Sequence, residues 1–253
     1  MSANRLTVAS ARGILTLTLN RPDKRNALDA AMIDALLREL EGAELDKEVR
    51  VVSLRGAGKD FCAGADLAEL LASVDNTAAE NAADAARLGS VFTAIRRLPK
   101  PVVAVVHGRA LAGGCGLATA CDIVAAHAGA TFGYPEVQRG FVPAMVIAML
   151  RRAVGEKVGL DLVLTGRLLS AEEAKAIGLV SRVVPSERFD SEVESLLEQL
   201  AASSPSALAL IKRQFYEVEG RSFDDAVALG AKVNAVARGT PDFREAVSRF
   251  LRK

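Results

Sequence analysis

The sequence predicts an α/β protein built from repeated strand–strand–helix units and closed by a helical C-terminal region. Three observations carry that reading. Short segments of period-two or fully apolar pattern, such as 13–20 (GILTLTLN) and 102–106 (VVAVV), alternate with segments of helical periodicity. The apolar runs are too continuous for sheets with one wetted face. Beyond Pro143 strands become rare, and Ser or Thr caps announce one helix after another.

Residues 13–20 form the first strand and residues 22–26 (PDKRN) a polar loop. Asp29 then caps a helix in which Met32, Ile33, Leu36, Leu37 and Leu40 share one face and Arg38, Glu39, Glu41 and Glu44 the other. A strand follows at 49–54, and after a small-residue loop Asp66-Leu-Ala-Glu69 has the form of a capping box. Residues 73–86 hold few large apolar groups and are expected to begin as a loop and grow into a solvent-facing helix. Glu80 and Asp84 stand near its start, Arg96, Arg97 and Lys100 near its end, and Pro99 and Pro101 stop it. The pattern continues with a strand at 102–106, a glycine-rich turn at 107–116, a short helix at 117–121 and a strand at 123–126. Ser170-Ala-Glu-Glu173 is a second capping box, Gly178 a helix stop and 180–184 a last strand. Ser204-Pro205, Ser222 and Thr240-Pro241 open three final helices. The division expected is a core over 1–190 and a helical oligomerisation region over 191–253, because the faces of Leu208, Ile211 and Phe215 and of Val227, Ala231 and Val233 need a partner to cover them.

A chain of 253 residues suits one core with an appendage. Lys and Arg number 32 against 31 Asp and Glu, a net charge of +1 that provides no broad field for nucleic acid or membrane surfaces. With aromatics at 4 % and no Trp, base-stacking platforms are disfavoured as well. The three cysteines, Cys62, Cys115 and Cys121, sit in apolar segments without disulfide spacing, so a cytoplasmic location is expected. Two histidines and no Cys-x-x-Cys pair leave no metal site in view.

Three segments have chemical potential. The loop at 56–66 fails the Walker pattern, with Ser53 and Asp60 at the required Gly and Ser/Thr places, but Ala63-Gly64-Ala65 lets a ligand approach peptide N–H groups just before a helix. A plain strand-to-helix bend is the alternative. Residues 108–116 (GRALAGGCG) fail dinucleotide spacing, yet Gly113 and Gly114 offer unpaired N–H donors to an oxyanion, or serve only close packing. Glu136, after Pro135, either complements a helix dipole or acts as a general base. His107, Cys115 and Asp122 read as structural groups.

Taken together and in order, NRPDKRNAL at 20–28, FCAGADL at 61–67, GRALAGGCGLATACDI at 108–123, FGYPEVQRGFVP at 132–143 and LTGRLLSAEEAKAIGLVSRVV at 164–184 resemble the enoyl-CoA hydratase/isomerase (crotonase) superfamily. The resemblance covers nearly the whole chain. It implies a spiral of ββα turns with C-terminal helices that make homotrimers or hexamers, and a coenzyme A thioester substrate. No separate cofactor is implied, since coenzyme A is part of the substrate. By motif position, Ala65 and Gly113 match the backbone donors of the oxyanion hole and Glu136 the acid/base. Ala27, Ala63, Asp66 and Leu67 match the adenine and pantetheine path, Lys24 and Arg25 are phosphate contacts, and Leu111, Gly114 and Pro135 complete the substrate-binding set.

Two departures from the family pattern stand out. Hydratases with two glutamates carry one acid three residues after the oxyanion glycine, where this chain has Gly116. One carboxylate suffices to move a double bond, so the resemblance favours isomerisation, with single-acid hydration of straight, branched or methylglutaconyl-type substrates and non-catalytic acyl-CoA binding as the alternatives. The second departure is Val142-Pro-Ala-Met-Val146 in place of a Pro-Gly-x-Gly-Gly run, which narrows the acyl pocket or packs a helix.

Overall fold

The computed structural model describes residues 4–252. In chain order the elements are β1 (Leu6–Ala11), β2 (Ile14–Leu19), α1 (Ala30–Leu45), β3 (Val51–Gly56), α2 (Leu67–Ala72), α3 (Ala78–Arg97), β4 (Val102–Val106), β5 (Arg109–Leu111), α4 (Gly113–Ala120), β6 (Ile123–His127), β7 (Thr131–Gly133), α5 (Ala144–Val154), α6 (Glu156–Thr165), β8 (Leu168–Ser170), α7 (Ala171–Ala176), β9 (Arg182–Val184), α8 (Phe189–Ala202), α9 (Pro205–Glu217), α10 (Phe223–Arg238) and α11 (Pro241–Leu251).

The strands form a six-stranded sheet of order β1-β2-β3-β4-β6-β9 and a three-stranded sheet of order β5-β7-β8. From β2 to β9 the large sheet is parallel. Two successive turns of the chain give one strand to the large sheet, the next to the small sheet, and then a helix: β4, β5 and α4 make the first, and β6, β7 and α5 the second. This is the expected ββα repeat.

Strand alternation divides the core. Val102, Ala104 and Val106 of β4 join the main cluster with α1, α3 and α4, whereas Val103 and Val105 face Phe189, Val193, Leu196 and Leu197 of α8. Burial on both faces explains the unbroken apolar run of this strand. Among the described residues no helix is long and apolar enough to cross a membrane.

Four expectations need correction. The 107–116 turn contains β5, and α4 begins at Gly113 rather than 117; its first glycines belong to the helix because Gly114 packs where an added Cβ would lie 2.3 Å from the Cys62 carbonyl oxygen. The boundary at 190/191 falls inside α8, which covers the large sheet, so the helices leave the core only after Ser203. At Asp66 half a capping box forms: Asp66 accepts from the Ala68 N–H at 2.9 Å, but Glu69 reaches across to the Ala30 N–H of α1 at 3.0 Å. The strand β1 was not expected, since only Leu6 of its six residues is buried and an exposed edge carries no apolar alternation.

Candidate active site

Three backbone segments run side by side and end together. Leu111 pairs with Gly133 across β5 and β7, and on the other side of β5 Cys62 bridges to Ala110 in parallel. The Leu111 N–H donates to the Cys62 carbonyl at 2.9 Å, and the Ala112 N–H to the Gly133 carbonyl at 2.8 Å. Just past these C-terminal ends the chain presents Ala65, Gly113 and Glu136, the position where ligands of parallel sheets collect. A fourth segment closes the group: the Ala63 N–H donates to the Arg25 carbonyl at 3.0 Å and the Leu28 N–H to the Gly64 carbonyl at 2.8 Å. The predicted residues of four distant stretches are thus brought to one place.

Among the described residues neither the Ala65 nor the Gly113 N–H donates to a protein acceptor. They are neighbours, since a Cβ on Gly113 would lie 3.8 Å from the Ala65 nitrogen. Gly113 opens α4, where the helix leaves its first N–H groups unpaired. Its N-cap, Ala112, has φ 51° and ψ −129°, a strained conformation for a residue with a side chain. The sheet bond to Gly133 holds it there and aims the Gly113 N–H out of the ladder.

Glu136 sits on a 3₁₀ turn, Pro135–Arg139, started by proline and ended at Gly140 in the left-handed region. Its side chain is buried, and Oε2 is the one buried side-chain polar atom without a hydrogen-bond partner among the described residues. Burial raises its pKa above the ordinary glutamate value; its own backbone amide and Arg139 oppose that shift. An unpaired buried carboxylate is costly, and such groups concentrate where a proton has to be moved.

The remaining predicted residues divide by surroundings. Lys24 and Arg25 are exposed on the 22–25 turn and, among the described residues, form no ion pair. Leu67 is 59 % exposed at the start of α2, and Ala27, Ala63 and Leu111 are half-buried. Asp66 is occupied: besides capping α2 it binds Arg21 at 2.8 Å. Gly114 and Pro135 are buried in the packing beneath the loops rather than on the open wall. Gly116 is buried too, one turn beyond Gly113.

Several organising residues had no local signal. Arg21 ties the Ala27 carbonyl (2.7 Å) to Asp66, and Asn26, fully buried, donates to the Ala57 and Asp60 carbonyls at 2.8 Å each. Asp60 in turn holds Arg109 through both oxygens, fixing the start of β5 against the 61–65 loop. Only their burial, invisible in a polar loop sequence, marks them. The cysteines are free and buried, and burial lifts Cys62 to about 12 and Cys115 to about 11, so neither is a ready nucleophile.

Comparison with known proteins gives the family and the fold. The family described as Enoyl-CoA hydratase/isomerase matches residues 9–253. This chain is a member of the enoyl-CoA hydratase/isomerase family. A Thermus thermophilus protein named "Putative enoyl-CoA hydratase" is 43 % identical over 95 % of both chains, and the 2,3-dehydroadipyl-CoA hydratase of Escherichia coli is 35 % identical over 98 % of this chain and 96 % of its own. Among solved structures, an enoyl-CoA hydratase of Mycobacterium smegmatis superposes with a TM-score of 0.93 at 36 % identity, covering 98 % of this chain and 96 % of that one. As a member of the hydratase/isomerase family, the protein is an acyl-CoA enzyme, and its fold is the crotonase α/β fold expected from the sequence.

Proposed function

We propose that this hydratase/isomerase-family enzyme moves the double bond of a 3-enoyl-CoA thioester to the 2 position, with Glu136 as its single acid/base and the Ala65 and Gly113 N–H groups as the oxyanion hole. The observation that supports this reading is an unpaired buried carboxylate oxygen on the turn after β7, together with two free, adjacent donors at the ends of the neighbouring segments. The Glu136 carboxylate takes a proton from C2, and the electron pair passes into the thioester, whose oxygen becomes the dienolate oxyanion held by the two N–H groups. The protonated Glu136 then returns that proton to C4, the double bond settles between C2 and C3, and the carboxylate is regenerated. Each donor contributes about 3 kcal/mol to such an oxyanion. Proton transfer of this kind calls for no metal, flavin or nicotinamide.

In the same reading Lys24 and Arg25 grip the phosphates of coenzyme A from the rim, while Ala27, Ala63, Leu67 and Leu111 line the path of its adenine and pantetheine. Asp66 acts through Arg21 to hold that path open. Hydration of a 2-enoyl-CoA is the second reading, favoured by the names of the relatives. Purified enzyme offered 3-enoyl and 2-enoyl CoA esters separates the two. Isomerisation should exceed hydration, and Glu136→Gln should lower it by about 10²–10⁴-fold without weakening thioester binding. Hydration outrunning isomerisation overturns the primary reading, and full turnover in the glutamine variant removes Glu136 from the mechanism.

A further inference from the structure

Gly116 has no backbone reason to be glycine. It lies inside α4, with a φ outside the left-handed region, where glycine is a poor helix former. The reason is space. A Cβ at this position would lie 2.5 Å from Val146 Cγ2 and 3.3 Å from Phe92 Cζ. Val146 is buried on α5, and a β-branched side chain in a helix has little freedom to turn aside. The residue closing this place arrives on the helix that follows the Glu136 turn, whose Phe141 N–H donates to the Glu136 carbonyl at 3.1 Å.

The location matters for the reaction. Helical side chains lean toward the N-terminus of their helix, so a group at 116 would project back over the turn that begins with Gly113. On that side the wall is apolar: Leu88 Cδ2 would stand 3.6 Å from a Cβ on Gly113, and Phe92 and Val146 fill the rest. A water molecule held for addition needs two to four polar partners. Glu136 can supply only one carboxylate, and no second group is able to enter from α4.

We propose that Val146 and Gly116 form a reciprocal steric pair, Val146 barring any side chain at position 116, which keeps a second polar group away from the substrate and so holds the enzyme to proton transfer rather than water addition. This rests on the isomerase reading for its consequence, but the steric pairing stands apart from it. Val146→Ala removes the clashing Cγ2 and leaves Val146 Cβ, 3.6 Å from a Cβ at 116, in ordinary contact.

The test is a double-mutant cycle with two readouts. By thermal unfolding, Gly116→Ala should lower the melting temperature even though alanine is the better helix former, and Gly116→Ala/Val146→Ala should lie above the value expected from adding the two single effects. By product analysis, Gly116→Glu/Val146→Ala should raise the ratio of 3-hydroxyacyl to isomerised product at least about tenfold, water giving its hydroxyl to C3 and a proton to C2; Val146→Ala alone should not. Stabilisation by Gly116→Ala, or strict additivity, overturns the steric pair. A folded double variant with an unchanged product ratio overturns the specificity role. A parent enzyme that already hydrates faster than it isomerises overturns the isomerase reading, while the unfolding cycle still decides the pairing.

Discussion

At the scale of single residues, Glu136 determines how the protein responds to pH. Burial raises its pKa, so between the unfolded and folded values the native state binds more protons than the unfolded chain. Stability therefore falls as pH rises through that window, and the cost of the buried carboxylate is fully present above the folded value. Glu136→Gln should unfold at a higher temperature than the parent at pH values above the folded pKa, with the advantage shrinking on acidification toward the ordinary glutamate value of about 4.3. With Glu136 as the proposed base, activity should move oppositely: it would need the ionised form, so the acid limb of the pH–rate profile should lie above that ordinary value. An equal melting temperature for both proteins across the range would contradict the burial argument. Glu136, Ala65 and Gly113 are legible in the sequence because their motifs are local strings. Ala112 is not, and Val146, read as a pocket or packing residue, gives no sign of its contact with position 116, because a positive φ on alanine and a contact across thirty positions leave no mark in the chain's own pattern.

At the scale of elements, α9 is fastened to the core by one buried ion pair. Lys212 binds Asp122 at 2.7 Å and also donates to the Ile95 and Lys100 carbonyls. Asp122 accepts from the Val102 N–H at 2.7 Å and from the Tyr216 hydroxyl at 2.8 Å, so the structural group read from the sequence both holds the start of β4 and anchors the C-terminal helices. Burial pushes the Asp122 pKa up and the Lys212 pKa down, which shows the desolvation both partners bear. Lys212→Met should cost about 3–5 kcal/mol, since it strands a buried carboxylate, and adding Asp122→Asn should restore much of the loss. Denaturant unfolding of the four proteins checks this, and a single variant as stable as the parent would sink it. Capped helices were readable here because a cap is a local signal: Ser204, Ser222 and Thr240 each accept from a first-turn N–H as expected. Strands of three residues such as β5, β7 and β8 show no period, and they exist only through neighbours distant in sequence.

At the scale of the whole molecule, the last three helices have almost no interior of their own. They contain thirteen, sixteen and eleven residues, yet their only buried positions are Lys212 and Val233. Phe215, Phe223 and Phe250 are 75 %, 81 % and 78 % exposed, and Ile211 and Val227 extend the same apolar surface. So many large apolar side chains left in water on three helices are unusual for a lone chain, and each phenylalanine gains about 1.5–3 kcal/mol when covered. A near-zero net charge adds no repulsion between copies. The exposed faces call for a partner surface, and the family resemblance implies that this is a homotrimer or a pair of trimers held through these helices, with a melting temperature that rises with protein concentration. Light scattering should give a mass at least three times that of one chain, and Phe223→Glu should shift the population toward smaller species and abolish the concentration dependence. A monodisperse monomer at micromolar concentration would overturn this expectation.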